Sequence, residues 1–342
     1  MQSQLSQEFV VPGPNFARLK PLLLTCVQTS THHAISATTL PVVSQIVNLC
    51  KNANDISQYV LVIETLGSMI RAKQGYNVRG LLYTIQFFAS LARRSNLPIQ
   101  PLLDALRLEY AHLRREDDPD RQIGMMVCLV EIIKICHSTN PNLIESLLAS
   151  AEGILVNDDN LPQSVSITFH YFVAKHCLFM DRFDEARTEL DKAYDKVLSS
   201  GNVNNTVAIL RQLIPLRMIV GIFPSKKLFE KFPSLWPTFK PILKAVARRD
   251  LCALRAQRSL ALFGLVPRIE LLIHRLIVRD IHRISGSRKV SLFVLAQVLQ
   301  CSAGIAGEVA ANLILEQRIT GYISYEEGVL VLTGTEPFPK CF

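Results

Sequence analysis

Few residues in this sequence are equipped for chemistry, and they do not converge. His170, His176 and Cys177 fall close together, and on a helix residues 170 and 177 share a face, as two zinc ligands would. No second His or Cys cluster completes a site, so these three are expected in the core, with no metal. Glu326-Glu327 and Asp158-Asp159 are adjacent rather than opposed, which suits solvated loops better than an acid and base acting across a substrate. The chain has no GxxxxGK[ST] loop, no GxSxG, no HExxH and no GxGxxG after a strand, and Gly304-Ile305-Ala306-Gly307 lacks the required spacing. No catalytic residue and no cofactor are therefore expected.

Charge is the stronger signal. Between positions 240 and 289 stand twelve basic residues (Lys240, Lys244, Arg248, Arg249, Arg255, Arg258, Arg268, Arg275, Arg279, Arg283, Arg288 and Lys289) against three acids, Asp250, Glu270 and Asp280. That local excess of nine exceeds the +8 of the whole chain, so the remainder is slightly acidic. A concentrated cationic region attracts a polyanion, because each phosphate it neutralises releases condensed counterions. Arg248, Arg249, Arg255, Arg258, Arg283, Arg288 and Lys289 are expected to bind RNA or single-stranded DNA. The competing reading is a solvated helix surface, or Arg side chains paired with acids of neighbouring helices. Trp236, the only tryptophan, is expected to plug the core at a bend, the alternative being a platform on which a base stacks.

The elements that must position these residues are nearly all helical. Apolar periodicity predicts helices over 16–29, 40–51, 56–71, 76–94, 98–115, 121–137 and 141–156, with Asp117-Asp118-Pro119-Asp120 as a start signal. Segments 162–180 and 183–199 form the clearest antiparallel pair, joined at Asp181-Arg182. There Ala174, Ala186, Leu190 and Ala193 take the offsets of tetratricopeptide-type repeats, whose small residues let helices approach closely. A helix over 205–221 contains Pro215 and is expected to kink, and helices over 240–249 and 251–263 follow a proline-punctuated stretch.

The pattern changes at 268. Ile269, Leu272, Ile273, Leu276, Ile277, Ile281 and Ile284 make one apolar helix face, with Arg268, Arg275, Arg279, His282 and Arg283 largely opposite. Ser285-Gly286-Ser287 breaks that helix. A short strand over 290–292, a helix over 293–299, a third helix after Ser302, and strands at Gly321-Tyr322-Ile323-Ser324 and Val329-Leu330-Val331-Leu332 are predicted next. Gly328 can supply the positive φ of the hairpin turn between the last two. This is the order of a winged helix. Its third helix offers Glu308, Asn312, Glu316, Gln317 and only Arg318, too few cations for base readout in a major groove, so contact is expected to be with backbone and tolerant of sequence. The hairpin is expected to end in an edge strand, with Tyr322, Ile323, Val329 and Val331 as the partner interface.

The predicted fold is therefore mostly α: a repeat-like helical superhelix of TPR- or HEAT-like pairs ending in a winged helix. Its parts are N-terminal repeats at 1–160, a helical portion at 161–267, the winged helix at 268–334 and a tail at 335–342, stacked as one continuous array. Length alone suggests about two domains at ~150 residues each. Composition is 49% hydrophobic with mean hydropathy +0.23. The apolar runs are broken by Arg, Lys or Pro short of the ~18 residues of a membrane span, with Arg211 and Arg217 bracketing the most apolar one. Residues 1–14 lack the basic and apolar regions of a secretory signal, and the eight scattered cysteines, without CxxC, are expected to be reduced.

Particular residues also carry a resemblance. Leu213-Ile214-Pro215-Leu216-Arg217-Met218, Gly221-Ile222-Phe223-Pro224-Ser225, Val278-Arg279-Asp280-Ile281, Gly321-Tyr322-Ile323-Ser324 and Pro337-Phe338-Pro339 are similar to motifs of the PCI-domain family. Within it the chain looks like the PCI-domain protein 2 group of mRNA-export subunits and the related signalosome subunit 12 group. The match covers roughly 161–342, with only a compatible helical rhythm before. Arg248-Arg249-Asp250 departs from the family, which usually has Gly before the acid, so the turn there is expected to differ; Arg279, inside a family motif, is expected to be structural. The resemblance implies a non-catalytic subunit of the nuclear transcription-and-export complex 2. It also implies a nuclear location at or near the pore, with the cytoplasm as a further place. The implied partners are a larger GANP-type PCI scaffold and the small acidic disordered subunit shared with the proteasome lid, with no membrane. The rival implication is an assembly subunit of signalosome or proteasome-lid type with protein contacts only.

Overall fold

The computed structural model describes residues 61, 99–114, 119–151, 161–257 and 264–339, which fall in two compact units, Met1–Thr206 and Val207–Phe342. The helices expected over 16–29, 40–51, 56–71 and 76–94 lie outside the described residues except for Leu61, which is helical.

In the first unit α1 (Gln100–Leu113), α2 (Pro119–Thr139), α3 (Leu143–Ala151), α4 (Gln163–Phe179) and α5 (Phe183–Ser200) follow one another. α1 lies against α2, α2 against α4, and α4 against α5. α2 is apolar almost all round, with Met125, Met126, Cys128, Leu129, Ile132 and Ile133 fully buried, as a helix with neighbours on two sides must be. Its segment Gln122–Thr139 is long and apolar enough to cross a membrane, contrary to the expectation that no run reaches that length. Seventy-two per cent of that segment is buried inside the fold, and Glu131, nearly inaccessible, is held by Lys134 at 2.6 Å. The apolarity of α2 thus serves the core of this unit.

α4 and α5 are the tightest pair. Ala174, Ala186, Leu190 and Ala193 are all fully buried, so the predicted small-residue seam is where the two helices meet. The turn between them passes through Asp181 at φ +57°.

α6 (Val203–Ile219) runs through Pro215, whose missing N–H removes one backbone hydrogen bond. In the second unit α7 (Lys226–Lys231) is capped by Ser225, which accepts the Leu228 N–H, and a 3-10 turn (Pro233–Leu235) leads into α8 (Trp236–Arg248). α8 therefore starts four residues before the expected 240. α9 covers only Leu251–Arg255, shorter than predicted; Asp250 caps it by accepting the Ala253 N–H at 2.8 Å, and its helical turn closes at Ala256.

The C-terminal portion is a winged helix. α10 (Val266–Ser285) buries Ile269, Leu272, Ile273, Leu276 and Ile277, β1 (Lys289–Ser291) follows Gly286, and α11 (Leu292–Leu299) and α12 (Ala303–Leu315) pack on it. β2 (Gly321–Ser324) and β3 (Val329–Leu332) pair antiparallel, turning through Gly328 at φ +66° as predicted. β1 also pairs antiparallel with β3, giving the order β1-β3-β2. The last strand of the hairpin is thus central, not an edge, because β1 returns to cover it. The edge the hairpin leaves is β2, where the Thr320 N–H donates to the Pro337 carbonyl at 2.9 Å, so the tail of this unit lies along its start.

Candidate nucleic-acid interface and wing surface

The fold treats the predicted cations unequally. Arg249 ends α8 at φ +59° and ψ +32°, the left-handed conformation that glycine adopts most readily. The turn expected to differ for want of glycine is made by Arg249 itself taking that conformation. Its guanidinium donates to the Val246 and Ala247 carbonyls at 2.8 and 3.2 Å, and its Nε to Asp280 at 3.0 Å. Arg255 makes a two-pronged bond to Glu270 at 2.9 and 3.1 Å, which raises its pKa further. Lys289 donates to Glu327 at 2.7 Å, and that hydrogen-bonded carboxylate holds its ammonium above the usual lysine range.

Two further cations of the stretch are also engaged. Arg268 pairs with Glu316, and Arg275 donates to the Arg318 and Pro339 carbonyls at 2.9 and 2.8 Å. Counting charges over 240–289 misses this neutralisation, since Glu316 and Glu327 lie outside that window and the fold brings them in. Arg248, Arg283 and Arg288 remain exposed with no carboxylate partner among the described residues, as do Lys240, Lys244 and Arg279. Arg258 lies outside the described residues.

Trp236 overturns its expected role as a core plug: the residue is 42% exposed. The proline-bounded 3-10 turn sets Leu235 inward as the buried residue instead, with Phe239, Ile242, Ala245 and Val246 anchoring the inner face of α8. The indole leans on Phe229 at a centroid distance of 5.1 Å and 60°, and the Lys240 ammonium stands 5.6 Å above it. Lys240 and Lys244 were missing from the predicted site. Their signal was in the sequence, since Trp236, Lys240, Lys244 and Arg248 recur every four residues in a helix with no acid.

The sheet register sorts the wing residues. Lys289, Val331 and Tyr322 form one cross-strand row on the outer face, with Val329 two residues along on the same face. Ile323 pairs with fully buried Leu330 and stands on the inner face, in the same cross-strand row as buried Val290. Gly321 sits where the chain approaches closely: a Cβ there would run into the Val331 carbonyl oxygen. The third helix of the wing offers little to a groove, because Glu316 is paired with Arg268 and half-buried Arg318 donates to the Ile219 carbonyl.

In the first unit the suspected ligand cluster is core. His170, His176 and Cys177 are buried, and each histidine has its own carboxylate: Glu189 at 2.6 Å from His170 Nδ1 and Glu145 at 2.8 Å from His176 Nε2. Arg182 joins the same Glu145 oxygen at 2.7 Å. Burial pushes the Cys177 thiol up to about 11, leaving it protonated and inert. Among the described residues no group of three or more His, Cys, Asp or Glu could hold a metal ion.

Among the described residues, helix pairs are followed along the chain by a three-helix, three-strand winged module. The chain is 24% identical over 256 residues to the PCI domain-containing protein 2 homolog of Drosophila melanogaster, covering 70% of this chain and 63% of that protein. It is 22% identical over 255 residues to PCI domain-containing protein 2 of Danio rerio, at 70% and 63% coverage. To the Protein CSN12 homolog of Schizosaccharomyces pombe it is 26% identical over 237 residues, at 64% and 54% coverage. No family model matches the chain. The chain thus spans less than two thirds of the length of these relatives. It is similar to PCI domain-containing protein 2 and CSN12 proteins.

Proposed function

We propose that this chain is a non-catalytic PCI-domain subunit of the nuclear transcription-and-export complex 2, acting in mRNA export at or near the nuclear pore. In this reading it assembles through the outer face of its wing, at Tyr322, Val329 and Val331, with a larger GANP-type PCI scaffold. It also carries the small acidic disordered subunit shared with the proteasome lid. RNA or single-stranded DNA is held on the cations that the fold leaves without acids. The observation that carries the nucleic-acid part is the exposed set Arg248, Arg283 and Arg288, each without a carboxylate partner among the described residues. Phosphate contact by such residues is sequence-tolerant and salt-dependent.

A second reading, an assembly subunit of signalosome or proteasome-lid type, draws support from the ion pairs that occupy Arg249, Arg255 and Lys289 and from the engaged third helix. Affinity purification of the tagged protein from its own cells, with nuclease treatment, separates the two. Recovery of a larger PCI scaffold with a small acidic subunit supports the export reading, whereas recovery of signalosome or lid subunits refutes it.

A further inference from the structure

The outer face of α8 combines features that no paired cation of the wing has. Trp236 is 42% exposed, although burying an indole is strongly favourable and Phe229 stands beside it to receive one. Lys240, Lys244 and Arg248 continue from it at four-residue steps, each exposed, each advancing ~6 Å along the axis and turning ~40°. No acid occurs in α8, and the next acid, Asp250, is spent on capping α9. Buried Phe239, Ile242, Ala245 and Val246 lock the opposite face, so the helix cannot turn this stripe inward.

An aromatic plane at the head of a cationic stripe is what an unpaired nucleic-acid strand recognises. A base stacks on the plane through its π-face, whatever its identity, and the following phosphates track the cations. A duplex offers no free base face for the indole. The Lys240 ammonium, 5.6 Å from the ring centroid, would swing off the face that a base takes and meet the phosphate beside it. We propose that α8 is a stacking platform for a single-stranded polynucleotide, with one base on Trp236 and backbone phosphates on Lys240, Lys244 and Arg248. This rests on the nucleic-acid reading above and adds to it a site, a register and a preference for single strands.

Because Trp236 is the only tryptophan of the chain, its emission reports this site alone. The full chain is titrated with fluorescein-labelled 15-mers of oligo(U) and oligo(dT) and with a duplex of the same length. Anisotropy measures total binding while tryptophan emission is read in parallel with unlabelled strands. Saturable quenching with the same affinity as the anisotropy change, for single strands and not for the duplex, supports the platform. The relative strength of the two 15-mers tells RNA from DNA.

Trp236→Ala should weaken single-strand binding about tenfold, with Trp236→Phe recovering part of it. Lys240→Gln with Lys244→Gln, which keeps the probe, should flatten the log affinity against log salt slope by about 1.4. Full oligonucleotide binding with unchanged emission overturns the platform and leaves the basic-surface reading standing. No binding of any oligonucleotide overturns both. Quenching by polyglutamate but not by oligonucleotides assigns the stripe to an acidic protein segment and also overturns the proposal. Circular dichroism of the Trp236→Ala variant confirms that its loss is not unfolding, and the fold-retaining lysine pair carries the test if it is.

Discussion

Replacing Arg249 separates two effects that the structure sets against each other. The residue holds a left-handed backbone, which for an L side chain costs roughly 1 kcal/mol relative to glycine. Against that stand its two bonds to helix-end carbonyls, worth together about 1 kcal/mol at this partial exposure, and the Asp280 pair, worth about 0.5 kcal/mol because its side chains are 27% and 41% exposed. Arg249→Ala keeps the strain and loses all three bonds, for a net loss near 1.5 kcal/mol. Arg249→Gly loses the same bonds but relieves the strain, for a net loss near 0.5 kcal/mol. Urea unfolding followed by the emission of Trp236, on the same helix, reads the unit concerned. With an m-value of about 2 kcal/mol/M, the midpoints should fall by about 0.7 and 0.25 M. A double-mutant cycle of Arg249→Ala with Asp280→Ala should return about 0.5 kcal/mol of coupling. If the glycine variant is as unstable as the alanine variant, backbone strain at this turn is not what the arginine bonds offset, and the argument fails.

Gly321→Ala should destabilise the wing by roughly 1–3 kcal/mol, since the new methyl meets the Val331 backbone carbonyl rather than a movable side chain; hydrogen exchange of β3 amides would show it, and unchanged protection would refute the close approach. His137 offers a pH test in the first unit. Burial, with Lys175 adding to it, pushes its pKa down to about 4 from an ordinary 6.5. The unfolded chain therefore takes up a proton that the folded one refuses between those values. Stability is full above about pH 6.5 and falls as pH drops toward 4, and His137→Gln should flatten that slope in thermal unfolding. Charge reversals sort the wing cations. Arg283→Glu and Arg288→Glu should each weaken oligonucleotide binding alike for all sequences and lower the single-strand salt slope by about 0.7. Lys289→Glu acts there too, but it also removes the Glu327 pair, so its thermal unfolding shifts whereas that of Arg288→Glu does not.

The winged helix was legible almost residue for residue, because its signals are local. Ser302 caps α12 where predicted, Gly328 turns the hairpin, and a short β-rich apolar run marks Val329 to Leu332. The small-residue seam of α4 and α5 was legible for the same reason. What the sequence hid is non-local. Glu327 reaches Lys289 only because β1 closes on β3, and Glu316 meets Arg268 only because α12 folds back toward α10, so a charge count over neighbouring positions overstated the free cations. Trp236 was misjudged because a lone indole between prolines reads as filler. The four-residue recurrence after it was visible but went unread.

The outer face of the wing carries a consequence for the proposed function. Lys289, Val331 and Tyr322 lie in one cross-strand row, so a partner wing that covers the two apolar residues also covers the lysine. An ammonium already paired with Glu327 can be covered with its charge met, whereas a free one would lose its water without compensation. In the proposed reading Lys289 therefore belongs with the assembly surface more than with the nucleic-acid surface. On the same reading phosphate contact falls to Arg283 and Arg288, outside that row, and to the stripe on α8. In the assembled complex Lys289→Glu should then weaken scaffold binding more than oligonucleotide binding, and Arg288→Glu the reverse. Both variants failing in the same assay would mean that one surface serves both partners.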